Sequence, residues 1–275
     1  MKNFQSKVVV ITGAGSGIGQ ALAFAFGRDG ARLALNDRDT KALAETANRL
    51  RQSGISVLSS AFDVSDKNAV FAFADQVIRE YGQVDVVVNN AGLGLGNYAF
   101  AEFDLEQFER IMQVNFYGVL YGSRAFVPHL LKQPEAALVN VSSVYGLAGI
   151  AEVTAYCASK FAVNGLNQCL IQEYRDSNLR VHSVHPGGIN TNITRNSIDY
   201  QPKFDLFHKR FLKLSPEYAA DVIIRGIRNK KARILIGAEA HRLDFAVRLA
   251  PIFGTRLVNK ILEKTRREVA AGWKP

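Results

Sequence analysis

The chain is short of cysteine, of long apolar runs and, over most of its length, of net charge. Two cysteines in 275 residues are too few for a disulfide framework. Cys157 and Cys169 sit in an apolar-periodic segment and are expected to be buried small hydrophobes in a reducing compartment, not redox or nucleophilic thiols. The longest uncharged stretch, Ala136 to Ala151, is interrupted by Asn140, Ser142, Ser143, Gly146 and Gly149. It reads as a buried strand and loop, because a bilayer span needs about 20 predominantly apolar residues. Met1 to Lys7 lead directly into a strand-like run without the apolar core or small-residue cleavage site of a secretory leader, so a cytoplasmic location is expected. No repeat or low-complexity linker divides the chain, no metal is called for, and no nucleic-acid motif accompanies the basic residues. The net charge of +9 is confined to one end: residues 1–224 hold 21 basic and 21 acidic side chains, residues 225–275 hold 13 and 4.

What is present is an alternation of β-branched runs with longer stretches of helical period, the pattern of a parallel sheet covered on both faces. Strands are expected near Lys7–Thr12, Arg32–Asn36, Val57–Phe62, Val86–Asn89, Ala137–Val141, Val181–His185 and Arg233–Gly237. Helices are expected near Ile18–Asp29, Thr40–Ser53, Lys67–Tyr81, Leu105–Leu131, Val153–Asp176 and Pro216–Arg228. An α/β chain of this length is usually one domain, here a Rossmann-like doubly wound parallel sheet. Two segments stand outside the alternation. Residues 188–214 form a long connection carrying Tyr200, Phe204, Phe207 and Phe211, and residues 239–270 look like one or two amphipathic helices interrupted at Pro251 and Gly254.

The turn Thr12-Gly13-Ala14-Gly15-Ser16-Gly17-Ile18-Gly19 follows the apolar run Val8–Ile11 and opens a helix. Glycines there permit a tight turn and close approach of backbone N–H groups to a pyrophosphate, which a helix N-terminus favours electrostatically. Asp37 follows eighteen residues beyond Gly19, at the end of the second strand. A carboxylate at that place accepts both hydroxyls of an adenosine ribose and repels a 2′-phosphate, by about 4 kcal/mol at about 4 Å and an effective dielectric near 20. NAD is therefore favoured, with NADP as the alternative if Arg38 compensates.

A second constellation is Tyr156 and Lys160, four residues apart on one helix face, preceded by Ser142 and Ser143. A phenol must lose about 2–3 pKa units to serve as a base near neutrality, roughly 3–4 kcal/mol, and a nearby ammonium in a partly screened cleft is expected to supply that. With these pieces in order the sequence resembles the short-chain dehydrogenase/reductase family over residues 5–237. The resemblance rests on Thr12–Gly19, Asp63-Val64, Asn89-Asn90-Ala91-Gly92, Asn115 within Val114–Gly118, Ser143, Tyr156 to Lys160, and Pro186-Gly187 leading to Thr191. It implies that Tyr156 exchanges a proton with the substrate oxygen, Ser143 hydrogen-bonds that oxygen, Lys160 also grips the nicotinamide ribose, and Asn115 holds a water linking Lys160 to solvent. It implies binding places for Asp63 and Val64 at adenine, for Asn90, Ala91 and Gly92 along the ribose-pyrophosphate side, for Ile189 and Thr191 at the carboxamide, and for Pro186, Gly187 and Gly188 beside the ring. Gly13, Ser16, Gly17, Ile18 and Gly19 form the phosphate turn. A homodimer or homotetramer is the family-level expectation.

The expected organisation is a dinucleotide-binding and catalytic domain over 1–238, with 188–214 as substrate lid, followed by a basic amphipathic extension over 239–275. Leu93, Leu95, Val144, Tyr145 and the aromatic residues of the lid suggest a hydrophobic alcohol or ketone. Lys203, Lys209, Arg210 and Lys213 keep open an anionic tail such as a coenzyme A thioester, and the alternative is an NADP-preferring carbonyl reductase acting on a lipid or acyl thioester. A nucleotide-binding scaffold without enzymatic activity is the rival from another class. Family members commonly end soon after the strand at 233–237, so the extension departs from the pattern. Three readings compete for it: packing on the body or a second subunit, contact with an anionic membrane surface, and nucleic-acid contact.

Overall fold

The computed structural model describes residues 1–94, 98–102, 104–191, 193 and 212–272. Seven runs, most of them apolar and buried on both faces, become β1 (Val8–Thr12), β2 (Arg32–Asp37), β3 (Val57–Ala61), β4 (Val86–Asn89), β5 (Ala136–Val141), β6 (Leu179–Pro186) and β7 (Arg233–Ile236). They pair in parallel in the order β3-β2-β1-β4-β5-β6-β7. The order reverses between β1 and β4, which pair Val9 with Val86 and Ile11 with Val88, so a crevice opens beyond their carboxyl ends.

The crossovers are α1 (Gly17–Arg28), α2 (Thr40–Gln52), α3 (Lys67–Tyr81), α4 (Leu105–Met112), α5 (Gly118–Leu130), α6 (Thr154–Glu173) and α7 (Pro216–Arg228). Side chains start several of them: Asp39 accepts from the N–H groups of Lys41 and Ala42, and Asp66 accepts from Ala69. Gly82, with φ 72°, closes α3 in the left-handed conformation. One apolar core packs α1 and α7 on one face of the sheet, and the other packs α3, α5 and α6 on the opposite face.

The structure changes three sequence expectations. The helix expected over Leu105–Leu131 is divided by a π-helical turn, Gln113–Tyr117, that carries Asn115; such turns often occur at functional sites. Cys157 is buried, but Cys169 is exposed, because it falls on the outward face of α6. The extension breaks into two helices at Pro251 as expected, α8 (Ala238–Leu249) and α9 (Pro251–Gly272), but Gly254 does not interrupt it: it lies inside the first turn of α9 against the Ala246 carbonyl.

Of the three readings of the extension, packing on the body is the one the structure shows. Leu243 of α8 and Leu262 of α9 are buried against Ala148, Ile150, Val153 and Cys157. Asn259 accepts from the Ala151 N–H at 2.8 Å and donates to the Gly149 carbonyl at 2.9 Å. Arg233 of β7 grips Asp244 of α8 with two bonds of 2.6 and 2.5 Å. No described helix is long and apolar enough to cross a membrane.

Candidate active site

A cavity of about 930 Å³ occupies the crevice, toward the upper end of the roughly 300–1,000 Å³ usual for ligand sites. Its walls include Gly13, Ser16, Gly17 and Ile18 from the first turn, Asp37 and Arg38 after β2, and Asp63 and Val64 after β3. They continue through Asn90, Ala91 and Gly92 to Ser143, Tyr156 and Lys160, then Pro186, Gly187, Ile189 and Thr191. Of the catalytic and cofactor-binding residues nominated from the sequence, only Gly19 and Asn115 are not part of the wall; Lys213, nominated for a substrate tail, is also outside it.

The glycine turn is as close-packed as its composition suggests. Gly13 and Gly17 have φ of 68° and 56°, a region that side chains disfavour. A Cβ on Gly19 would lie 2.1 Å from the Gly13 carbonyl oxygen, so Gly19 lets α1 start directly beneath the turn. Thr12 and Asn90 fasten this turn to the segment after β4. The Thr12 hydroxyl accepts from the N–H groups of Asn90 and Ala91 at 3.0 and 3.1 Å, and the Asn90 amide donates to the Thr12 and Gly13 carbonyls. Asn90 is thus a brace whose side chain is already engaged. No side chain caps α1, which leaves its first-turn N–H groups facing the cavity without a side-chain acceptor.

After β2, the two oxygens of Asp37 accept from the Gly15 N–H at 2.8 Å and the Asp39 N–H at 2.9 Å. They are fixed at the rim while keeping acceptor capacity. Asp63 is differently engaged. Burial alone would raise its carboxyl, but bonds from Ser65 and the guanidinium of Arg110 hold it below the usual carboxylate range. Arg110, from α4, has no motif around it, so the sequence offered no signal for this ion pair. These features fit a dinucleotide: open N–H groups at a helix start, glycines where a Cβ would intrude, and a fixed carboxylate at the rim.

Ser143, Tyr156 and Lys160 come together because β5 ends at Val141 and α6 runs back beneath it. Ser142 ties the two elements by donating to the Lys160 carbonyl at 2.8 Å, and Lys160 Nζ donates to the Val141 carbonyl at 3.0 Å. Ser143, extended at φ −168°, accepts from the Tyr145 N–H at 3.1 Å, and its side chain pulls the Tyr156 phenol down against part of the effect of burial. Lys160 Nζ lies 5.7 Å from the centre of the Tyr156 ring. The expectation that the ammonium lowers the phenol is not met in the protein alone. Burial dominates both groups, pushing the Tyr156 phenol up to about 12 and the Lys160 ammonium down to about 8.

Asn115 is fully buried. It accepts from the Leu93 N–H at 2.7 Å and donates to the Leu93 carbonyl and the Ser159 hydroxyl, so its amide holds the loop after β4 against α6. Two further residues, besides Arg110, escaped the sequence reading. His185, neutral because burial pushes it down to about 4, bridges the Ser183 hydroxyl at 2.9 Å and the Ser143 carbonyl at 3.1 Å. It ends a buried chain of hydrogen bonds running through Asn89, Asn140, Asn167 and Ser183. Glu239, at the start of α8, accepts from the Gly188 N–H at 3.1 Å and leaves no space for a Cβ at Gly187.

The stems of the proposed lid are joined: Asn190 N–H donates to the Leu214 carbonyl and Leu214 N–H to that of Gly188. Leu95, Tyr200, Phe204, Phe207, Phe211, Lys203, Lys209 and Arg210 lie outside the described residues. Described residues of α8 and α9, among them Leu243, Val258 and Leu262, line the same cavity, as do Ser143 and Tyr156.

Residues 7–201 match the model of the short chain dehydrogenase family. The putative oxidoreductase SadH of Mycobacterium tuberculosis is 41% identical over 266 residues, spanning 94% of this chain and 96% of that protein. A short-chain dehydrogenase/reductase of Burkholderia phymatum in complex with NAD superposes with a TM-score of 0.83 at 30% identity, over 90% of this chain and 96% of the other. An alcohol dehydrogenase of Thermococcus sibiricus complexed with 5-hydroxy-NADP gives 0.73 at 30% identity, over 85% and 95%. With the parallel sheet, the glycine turn at its switch point and a serine, tyrosine and lysine on one cavity wall, these likenesses establish that the chain belongs to the short-chain dehydrogenase/reductase family of oxidoreductases.

Proposed function

We propose that the protein is an NAD-preferring dehydrogenase or reductase of a hydrophobic secondary alcohol or ketone, with Tyr156 as general acid and base. The observation that carries this reading is one continuous cavity that has Asp37 and the glycine turn at one end and Ser143, Tyr156 and Lys160 beyond. A bound nicotinamide supplies the hydride acceptor or donor and, when oxidised, a positive charge. The first-turn N–H groups of α1 bind the pyrophosphate, Asp37 takes the adenosine ribose, and Lys160 takes the ribose nearest the reaction.

Tyr156 stands as the neutral phenol, the acid form that carbonyl reduction uses: it gives its proton to the substrate oxygen as carbon gains hydride. In oxidation the phenolate takes the hydroxyl proton, and a protonated Lys160 with the cationic ring opposes the effect of burial. Ser143 donates to the substrate oxygen where negative charge develops, and His185 holds the Ser143 main chain in place. Lys160, 2% exposed, argues against a scaffold, since burying a lysine costs stability that nucleotide binding alone does not repay.

The aliphatic lining contributed by Val144, Val153, Leu243, Val258 and Leu262 supports an apolar substrate. The test is Tyr156→Phe, followed by absorbance of the reduced nicotinamide near about 340 nm with aliphatic, aromatic and sterol-like alcohols and ketones. Turnover should fall by about a hundredfold or more while NADH affinity is retained; a variant as active as the parent refutes the role of Tyr156.

A further inference from the structure

The helical extension has two apolar faces: one is buried against the body, and the other carries side chains that are largely exposed among the described residues. Thirteen large apolar side chains are exposed among the described residues, and six of them lie in the α8–α9 hairpin. Phe245 and Leu249 on α8, with Ile252 and Phe253 at the elbow, are 69–75% exposed. On α9 the row continues from Phe253 through Leu257 to Ile261 at intervals of four residues, one stripe along a helix. Leu257 and Ile261 also line the cavity, so the exposed surface and the binding site share a wall. Solvent-exposed Arg256, Lys260 and Lys264 form the adjoining row on α9.

We infer that the α8–α9 hairpin docks on an anionic lipid surface, with its aromatic elbow in the interface and its basic row against the headgroups. An apolar stripe flanked by lysine and arginine, on a helix too polar around the rest of its circumference to enter the bilayer core, is the form of an interfacial helix. Six large side chains clustered in two adjoining helices exceed the scattered apolar exposure normal for soluble surfaces. A second copy of the chain fits less well, because a two-fold pairing would bring each basic row toward its own image. Membrane docking also places the Leu257 and Ile261 wall where an apolar substrate passes from lipid into the cavity without crossing water. That last step rests on the dehydrogenase reading; the docking itself does not.

The experiment is flotation of the full chain with phosphatidylcholine vesicles, with and without phosphatidylglycerol. The parent is expected to float with the phosphatidylglycerol vesicles at low salt and to be released by high salt. Phe245→Ser with Phe253→Ser, and separately Arg256→Glu with Lys260→Glu, should each lower partitioning by about tenfold or more. Circular dichroism and turnover of a short water-soluble alcohol, where one is accepted, should be unchanged in both variants, since none of the four residues lines the cavity. A parent that stays with the soluble fraction overturns the inference, as does flotation unaffected by either pair. Light scattering that shows a dimer dissociated by the variants, without flotation of the parent, overturns it in favour of a second copy. Because flotation is read without substrate, its outcome is separate from that of the Tyr156 test.

Discussion

The proposed preference for NAD over NADP rests on how Asp37 is held. Its oxygens accept from the N–H groups of Gly15 and Asp39 at 2.8 and 2.9 Å, so the carboxylate cannot swing away from a group placed on the adenosine ribose. A 2′-phosphate about 4 Å from it, at an effective dielectric near 20, costs about 4 kcal/mol, roughly a thousandfold in affinity. The site is open at the rim, and salt screening at physiological ionic strength lowers this to about a hundredfold or somewhat more. The neighbouring Arg38 is exposed and also lines the cavity, a cation placed to offset part of the repulsion. Asp37→Ser removes the charge and leaves a hydroxyl that can replace one of the two bonds. NADH affinity should then fall by about tenfold, as expected for a charge-assisted hydrogen bond, while NADPH affinity rises, so that their ratio shifts by about a hundredfold. Titration calorimetry with both reduced cofactors measures this without any substrate. Equal NADH and NADPH affinity in the parent protein, or an unchanged ratio in the variant, would refute the reasoning.

The remaining predictions concern stability. Lys160 is pushed down from an ordinary 10.5 to about 8, so between these pH values the unfolded chain binds a proton that the folded one does not, and stability rises with pH by about 3 kcal/mol. Tyr156, raised from 10.0 to about 12, acts oppositely: above pH 10 the unfolded chain loses its proton first, and stability falls. Denaturant midpoints of the cofactor-free protein should therefore climb from about pH 8 to 10, and Lys160→Met should abolish the climb; a flat parent profile contradicts the burial of this lysine. His182 and His185, both held near 4 from an ordinary 6.5, should weaken the fold as pH drops from 6.5 toward 4, because the unfolded histidines take up protons first. His185→Ala leaves the Ser183 hydroxyl and the Ser143 carbonyl without this partner and should cost about 1–3 kcal/mol, seen as a lower midpoint in thermal or denaturant unfolding together with reduced kcat. Asn259→Ala removes both bonds to the 149–151 loop and should speed hydrogen exchange across 255–264 without altering exchange in β5; unchanged exchange in α9 would show that apolar packing alone seats it.

The local pattern carried much of this protein. Alternating apolar runs placed all seven strands within two residues of their ends, since strands buried on both faces read as continuous Val, Leu and Ile. The glycine turn and the four-residue spacing of Tyr156 and Lys160 were legible because backbone approach and helix periodicity are written in adjacent residues. The π turn at Gln113–Tyr117 was not legible, since one residue of extra winding leaves the apolar spacing almost unchanged.

By itself the sequence determined the doubly wound sheet, the order of its strands along the chain, and the polar residues at their carboxyl ends. Tertiary structure alone decided the electrostatics: dense packing around Tyr156 and Lys160, set by how β5, β6 and α6 meet, outweighs a mutual charge effect that sequence spacing suggests. It also decided the partners of isolated polar residues. Arg110 reaches Asp63 across 47 positions and His185 reaches Ser143 across 42, distances in sequence at which no periodicity survives. The extension shows the division most plainly. Its amphipathic character is local and readable, but which apolar face is buried depends on the loop at 148–153 and on Cys157, which are brought to it only when the sheet has closed over the core.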